Sequence, residues 1–183
     1  LKDYQSAPDY EQKRFLVDSL MIQTNPVWRA ARKGHITAST FKDFLAKGRS
    51  KNELFGKTSQ KVIRKYMAEN LGWEEQEPTF NEKFQIKRGL VFERRAIELF
   101  AKETGFNVKS DIGFVSREIK GIKFGYSPDG YIVSNDGVIT SYVEIKSFEL
   151  QRFLEATEEL ASNEMQAQMQ GGMMITDTSK CYA

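Results

Sequence analysis

Three residues of the chain have the types and spacing to hold a hard cation beside a phosphate. Asp129 stands in Ser127-Pro128-Asp129-Gly130, and Glu144 and Lys146 stand in Val143-Glu144-Ile145-Lys146. Magnesium prefers carboxylate oxygens and usually takes one or two of them, with substrate phosphate completing its shell. A lysine beside them can orient or deprotonate a water if its pKa is lowered, or neutralise charge developing on phosphate. The three outline metal-assisted phosphodiester hydrolysis. Each half also has a plainer use, since Pro-Asp-Gly is a common turn and Glu-x-Lys occurs on many solvent-facing strands.

The elements that must position them can be read around these motifs. Residues 138–147 read as a strand, on which Glu144 and Lys146 leave one face while Val143 and Ile145 fill the buried one. Residues 111–118 and 122–133 also read as strands, and Asn135-Asp136-Gly137 signals the turn before the last strand. Asp129 then lies near the neighbouring strand, and both carboxylates and the ammonium can converge on one side of a hairpin. Upstream, residues 88–104 form a helix whose apolar face is Phe92, Ala96, Leu99 and Phe100, closed by Gly105. Glu93 falls in line with Leu90, Ile97 and Phe100 on that helix. An acid inside an apolar stripe needs a partner, either a metal or a buried Arg or Lys.

The stretch Thr37 to Gly48 reads as a short helix capped by Thr37 or Ser39 and ended by Gly48. Residues 49–58 read as a polar loop, 59–71 as a helix, and 72–82, with Pro78, as an exposed connection. After the hairpin, helices are expected over 149–161 and 163–174, with another strand beginning in 175–183. Gln166, Gln168 and Gln170 lie on the second of these helices; such amides either bind phosphate or a nucleotide edge, or simply face solvent. Helices, then a strand meander, then helix and strand describe an α/β (α+β) domain with a mixed central β-sheet flanked by helices.

Composition narrows the function classes. At 183 residues the chain is expected to be one domain, 1–183, with a sizeable core. No run of about 18 apolar residues and no charged-then-apolar leader is present, so neither a membrane span nor a secretory signal is expected. One cysteine, Cys181, cannot make an internal disulfide or a cysteine-based zinc site, and the expected compartment is a reducing cytoplasm. The single histidine, His35, excludes a three-histidine zinc site and a two-histidine relay. Hydrolytic chemistry here must therefore rest on carboxylates and lysines. The net charge of +2 announces no nucleic-acid partner. The basic stretch 29–65 either tracks a phosphate backbone or is a solvated helix face.

Asp129 with Glu144-Ile145-Lys146 resembles the signature of the PD-(D/E)xK nuclease superfamily. The finer resemblance is to the lambda-type phage exonucleases, the YqaJ-like viral recombinase family. Four blocks occur in that family's order: WRAARKGHITAS from Trp28 to Ser39, GLVFE from Gly89 to Glu93, the SPDG and EIK core, and MQAQMQGGMMIT from Met165 to Thr176. They span about residues 28–176, with no recognised motif in 49–82, and the family's C-terminal part is expected to be missing. The resemblance implies a restriction-endonuclease-like core. It implies metal ligation by Asp129, Glu144 and the main-chain carbonyl of Ile145, with Glu93 holding a second ion through water. Mg2+ would be the ion, two per site, with Mn2+ able to substitute. Lys146 would position or activate the attacking water. Arg32, Ser39, Ser127 and Gln170 match positions that hold the 5′-terminal phosphate of DNA, with Gln168 a secondary candidate. The activity implied is 5′-to-3′ digestion of one strand of linear duplex DNA, leaving 3′ overhangs for phage-type recombination. The implied partners are double-stranded DNA ends, two further copies in a homotrimeric ring and a single-strand annealing protein. The setting is the cytoplasm of a bacterial host, the gene belonging to a phage or prophage.

Two other readings compete. One keeps the fold and makes the chain a restriction or repair endonuclease; the implied 5′-phosphate pocket of Arg32 and Ser39 argues for ends instead. The other is a non-catalytic DNA-binding module, against which stand the four intact core residues Glu93, Asp129, Glu144 and Lys146.

Overall fold

The structure, a computed structural model, describes residues 14–16, 26–48, 50, 53–73, 80–110, 113–146, 154 and 163–183. The elements in chain order are β1 (Arg14–Leu16), α1 (Pro26–Arg32), β2 (Ile36–Thr37), α2 (Phe41–Phe44), α3 (Lys57–Asn70) and α4 (Phe80–Thr104). They continue with β3 (Val108–Lys109), β4 (Phe114–Ile119), β5 (Ile122–Tyr126), β6 (Gly130–Val133), β7 (Ile139–Val143), α5 (Asn163–Thr176) and β8 (Cys181–Tyr182).

The expected mixed sheet is present, as two four-stranded sheets among the described residues, in the orders β1-β4-β5-β2 and β3-β6-β7-β8. In each, three strands pair antiparallel and the last joins parallel: β2 on β5 and β8 on β7. The strand expected over 122–133 is divided between the two sheets at Ser127-Pro128-Asp129. Pro128 is fully buried there, and with no N–H to give to a ladder it ends the pairing of β5. The chain therefore changes sheets at the motif that carries Asp129.

The helix expected over 37–48 is mostly absent. Ile36 and Thr37 pair with Phe124 and Gly125 of β5, a 3-10 turn covers Ala38–Thr40, and α2 ends at Phe44. Neither Thr37 nor Ser39 caps a helix; their hydroxyls bond each other at 3.1 Å, while Thr40 Oγ1 donates to the Thr37 carbonyl at 2.8 Å. Edge pairing to β5 has outweighed local helix signals. The helix read at 88–104 begins earlier, at Phe80, and takes in the end of the expected 72–82 connection. Helix α3 and helix α5 lie close to their expected positions. The strand read at 111–118 is β4, shifted to start at Phe114, and the one read at 175–183 shrinks to β8. The helix expected at 149–161 lies outside the described residues apart from Leu154, which is helical.

The core gathers Ile36, Ala38, Phe41, Val115, Phe124, Tyr126, Tyr142 and Ile175. Helix α5 lies directly on it because of Gly171 and Gly172. A Cβ at Gly171 would stand 2.7 Å from the Phe41 ring, and one at Gly172 would stand 2.8 Å from the Tyr126 ring. Two glycines weaken a helix interior by roughly 1 kcal/mol each, which the close approach to two aromatic rings offsets.

Candidate active site

The two motif strands meet where β5 hands over to β6 beside the end of β7. Gly130 pairs with Val143, and the Asp129 amide donates to the Val143 carbonyl at 3.2 Å. The Ile145 amide donates to Asp129 Oδ2 at 2.6 Å. Beyond Val143 the Glu144 amide bonds the Tyr182 carbonyl at 2.8 Å, so parallel β8 holds the acid in place. Because β7 stops at Val143, strict alternation stops as well. Val143 is buried as expected, but Ile145 lines the site cavity with Glu144 and Lys146 instead of filling the core.

Glu144 is 2% exposed and hydrogen-bonded at both oxygens. Lys146 Nζ donates to its Oε1 at 2.7 Å, and the Gln168 amide donates to the same oxygen. The Tyr126 hydroxyl donates to Oε2 at 2.9 Å. A buried carboxylate so supplied satisfies the requirement that an interior charge be paired and hydrogen-bonded.

A cavity of about 260 Å3 opens beside these groups. Its lining includes nine of the ten residues singled out from the sequence: Arg32, Ser39, Glu93, Ser127, Asp129, Glu144, Ile145, Lys146 and Gln168. Gln170 is outside it. Two residues beyond Gln168 on a helix, its side chain leaves a different face and is exposed. Gln168 lies one turn from Gly172 and so shares the face that packs on Tyr126.

Helix α4 brings Glu93 to the cavity. Ile97, one turn on, is buried, and Phe100, two turns on, packs against Tyr182 with ring centroids 5.7 Å apart. The apolar stripe thus fastens α4 to β8, and Glu93 occupies the end of the stripe that reaches the site. Helix α1 brings Arg32 and Trp28, one turn apart. The Arg32 guanidinium lies 4.3 Å from the Trp28 ring centroid, and Trp28 Nε1 donates to Ser127 Oγ at 2.8 Å. A guanidinium over an indole keeps its charge and its fork while losing rotational freedom. The turn after α1 is tied to α3: Glu69 accepts from the Gly34 amide at 2.8 Å and Asn70 donates to the Gly34 carbonyl at 3.2 Å.

Trp28, Thr37 and Tyr126 were not chosen from the sequence as site residues, yet all line the cavity. Their types are ordinary for a core, and only contacts far along the chain reveal them.

Electrostatics reflect the crowding of acids. Burial, then the charges of Glu144 and Glu93, push the Asp129 carboxyl up to about 8, against the opposing help of the Ile145 amide and Lys146. Tyr126 is pushed well above the usual phenol range by burial and then by Glu144, so it remains a donor. The Cys181 thiol is pushed up to about 11, chiefly by burial, and stays protonated at neutral pH. His35, lowered chiefly by burial, packs edge-on to Phe114 at 5.1 Å as a neutral core ring.

The donor chemistry suits a divalent cation. Asp129 and Glu144 repel each other across a cavity that also receives Glu93, and a hard cation would relieve that repulsion with the oxygen ligands it prefers. Among the described residues no three His, Cys, Asp or Glu side chains already converge on one point. The oxygen donors that line the cavity include the carboxylates of Glu93, Asp129 and Glu144.

No curated protein sequence matches the chain. Two crystal structures of an alkaline exonuclease from Laribacter hongkongensis do, one of them in complex with dAMP. They are 27% and 28% identical, with TM-scores of 0.65 and 0.66, and each match covers 86% of this chain and 71% of theirs. The restriction-endonuclease-like core expected from the motifs is the fold shared with these enzymes. The family model of the YqaJ-like viral recombinase domain matches residues 27–179, a span that holds every residue of the cavity, and the chain belongs to that family.

Proposed function

We propose that the chain is a divalent-metal-dependent exonuclease that degrades one strand of linear double-stranded DNA from its 5′ end, leaving 3′ overhangs for phage-type recombination. Family and structural neighbours agree on a nuclease acting on DNA. The observation that supports the finer reading is the shared cavity, whose lining combines the acids Glu93, Asp129 and Glu144 and Lys146 with Arg32, Ser39 and Ser127.

In this reading Asp129, Glu144 and the Ile145 carbonyl bind Mg2+, or Mn2+ in its place, and Glu93 serves a second ion through water. A cation held there would supply a water of lowered pKa and neutralise phosphate charge. Lys146, already bonded to Glu144, holds the attacking water and meets charge developing on the phosphate. Arg32, stiffened over Trp28, with Ser39, Ser127 and Gln168, receives a terminal 5′-phosphate. Gln170, which the resemblance also assigns to that phosphate, is exposed and does not line the cavity.

The proposed setting is a single nuclease domain acting in a bacterial cytoplasm as a homotrimeric ring, beside a single-strand annealing protein. Among the described residues no helix is long and apolar enough to cross a membrane. Trp73 at 48% exposed and Leu71 at 87% offer apolar surface for such an interface. Light scattering at micromolar concentration would read three times the 21.0 kDa of the chain for a trimer.

The deciding experiment incubates the protein with linear and closed circular duplex DNA, with Mg2+, Ca2+ or excess chelator. Linear DNA should be degraded with Mg2+ alone, because the looser shell of Ca2+ positions water poorly. Cutting of closed circles would favour the endonuclease reading, and equal activity in chelator would remove the metal from the mechanism.

A further inference from the structure

The carboxylate of Glu144 is fixed by donors on both oxygens, and they are unequally loaded. Oε1 receives two, Lys146 Nζ and the Gln168 amide, whereas Oε2 receives only the Tyr126 hydroxyl. A carboxylate oxygen offers two lone-pair directions. Among the described residues Oε1 is therefore filled, and Oε2 keeps one direction uncommitted.

The Tyr126 ring cannot readily move. It is 2% exposed, and it meets Tyr142 nearly edge-on with centroids 5.9 Å apart. On another side it lies against α5 at Gly172, where a Cβ would stand 2.8 Å from its Cε1 and Cζ atoms. The hydroxyl is thus delivered to Glu144 by packing from a sheet strand and a helix together. A buried phenol could be satisfied by any nearby carbonyl; here its acceptor is the most buried acid of the site.

We infer that Tyr126 is a positioning residue for Glu144: its hydroxyl sets the rotation of the carboxylate so that Oε2 presents its remaining lone pair to a divalent cation, and Gly172 sets the place of the ring. This rests on the proposed reading of Glu144 as a cation ligand. In this role Tyr126 acts on the cation only through Glu144. Partners that orient a ligating side chain typically matter by about tenfold to a hundredfold in metal affinity or activity.

The test is calorimetry of Mn2+ binding to the DNA-free protein, with kcat and KM measured on a 5′-phosphorylated duplex. Tyr126→Phe keeps every carbon of the ring and removes only the hydroxyl. It should weaken Mn2+ binding by about tenfold and lower kcat by a similar factor, with KM for DNA unchanged. Gly172→Ala, which alters no side chain of the site, should weaken Mn2+ binding in the same direction by displacing the ring. If the Phe variant binds Mn2+ and turns over within about twofold of wild type, Tyr126 is only a core residue and the inference fails. Should the Phe variant not fold, unchanged Mn2+ affinity in Gly172→Ala overturns it equally. Glu144→Gln separates the two levels. If that variant binds Mn2+ as tightly as wild type, the underlying assignment of Glu144 falls, and this inference with it.

Discussion

The backbone amide of Ile145 donates to Oδ2 of Asp129 at 2.6 Å, so the residue between Glu144 and Lys146 holds the carboxylate of the other motif. This single bond joins the end of β7 to the junction where the chain changes sheets. It also explains why Asp129 is held close enough to Glu144 for that neighbour's charge to raise the Asp129 carboxyl.

That disturbance predicts a pH-dependent stability of the metal-free protein. The Asp129 carboxyl is pushed up to about 8 in the folded protein, from an ordinary value of 3.8. The folded state thus binds more protons than the unfolded state between those values, and this carboxyl lowers stability as pH rises through them. Asp129→Asn keeps an acceptor for the Ile145 amide but cannot ionise. Its thermal midpoint relative to wild type should rise from about pH 4 to about pH 8 and level off above. A difference independent of pH would mean Asp129 is not held in this environment.

Lys146→Ala should lose most turnover while keeping metal and DNA binding, because its proposed work is done in the transition state. Asp129→Ala should lose metal binding as well. Calorimetry with Mn2+ on both variants reads the contrast, and equal affinity in Asp129→Ala and wild type would refute the ligand assignment.

Arg32→Ala should reduce the preference for a 5′-phosphorylated end over a 5′-hydroxyl end. An arginine fork suits a terminal phosphate dianion through charge-assisted, often bidentate bonds. Loss of one such contact costs roughly 1.5–3 kcal/mol, on the order of tenfold to a hundredfold in the preference. Initial rates on the two duplexes decide it, and an unchanged ratio would place the phosphate elsewhere.

Gly125→Ala should destabilise the fold. The added Cβ would collide with Cζ of Phe114, a fully buried ring on the adjacent strand. Overpacking of this kind typically costs about 1–3 kcal/mol. The thermal midpoint should fall by several degrees for a chain of this size. An unchanged midpoint would mean Phe114 does not cover that face of β5.

The sequence by itself determined the chemistry: an acid pair and a lysine, a third acid in an apolar helical stripe, and no histidine or cysteine set to rival them. These are properties of residue type and short-range spacing, which the chain carries wherever it goes. It also determined helices α3 and α5 and the strands around Asn135-Asp136-Gly137, because their periodicity is local. Only the tertiary structure decided that Ser127-Pro128-Asp129 is a junction between two sheets, that Thr37 and Ser39 follow a strand edge instead of capping a helix, and that Gln168 enters the cavity while Gln170 stays out. It alone placed Trp28 against Ser127 and Tyr126 against Glu144, partners 99 and 18 residues apart. The physical reason is that strand pairing and ring packing are long-range. A two-residue strand such as Ile36–Thr37 has no periodicity to announce it and exists only because β5 offers an edge.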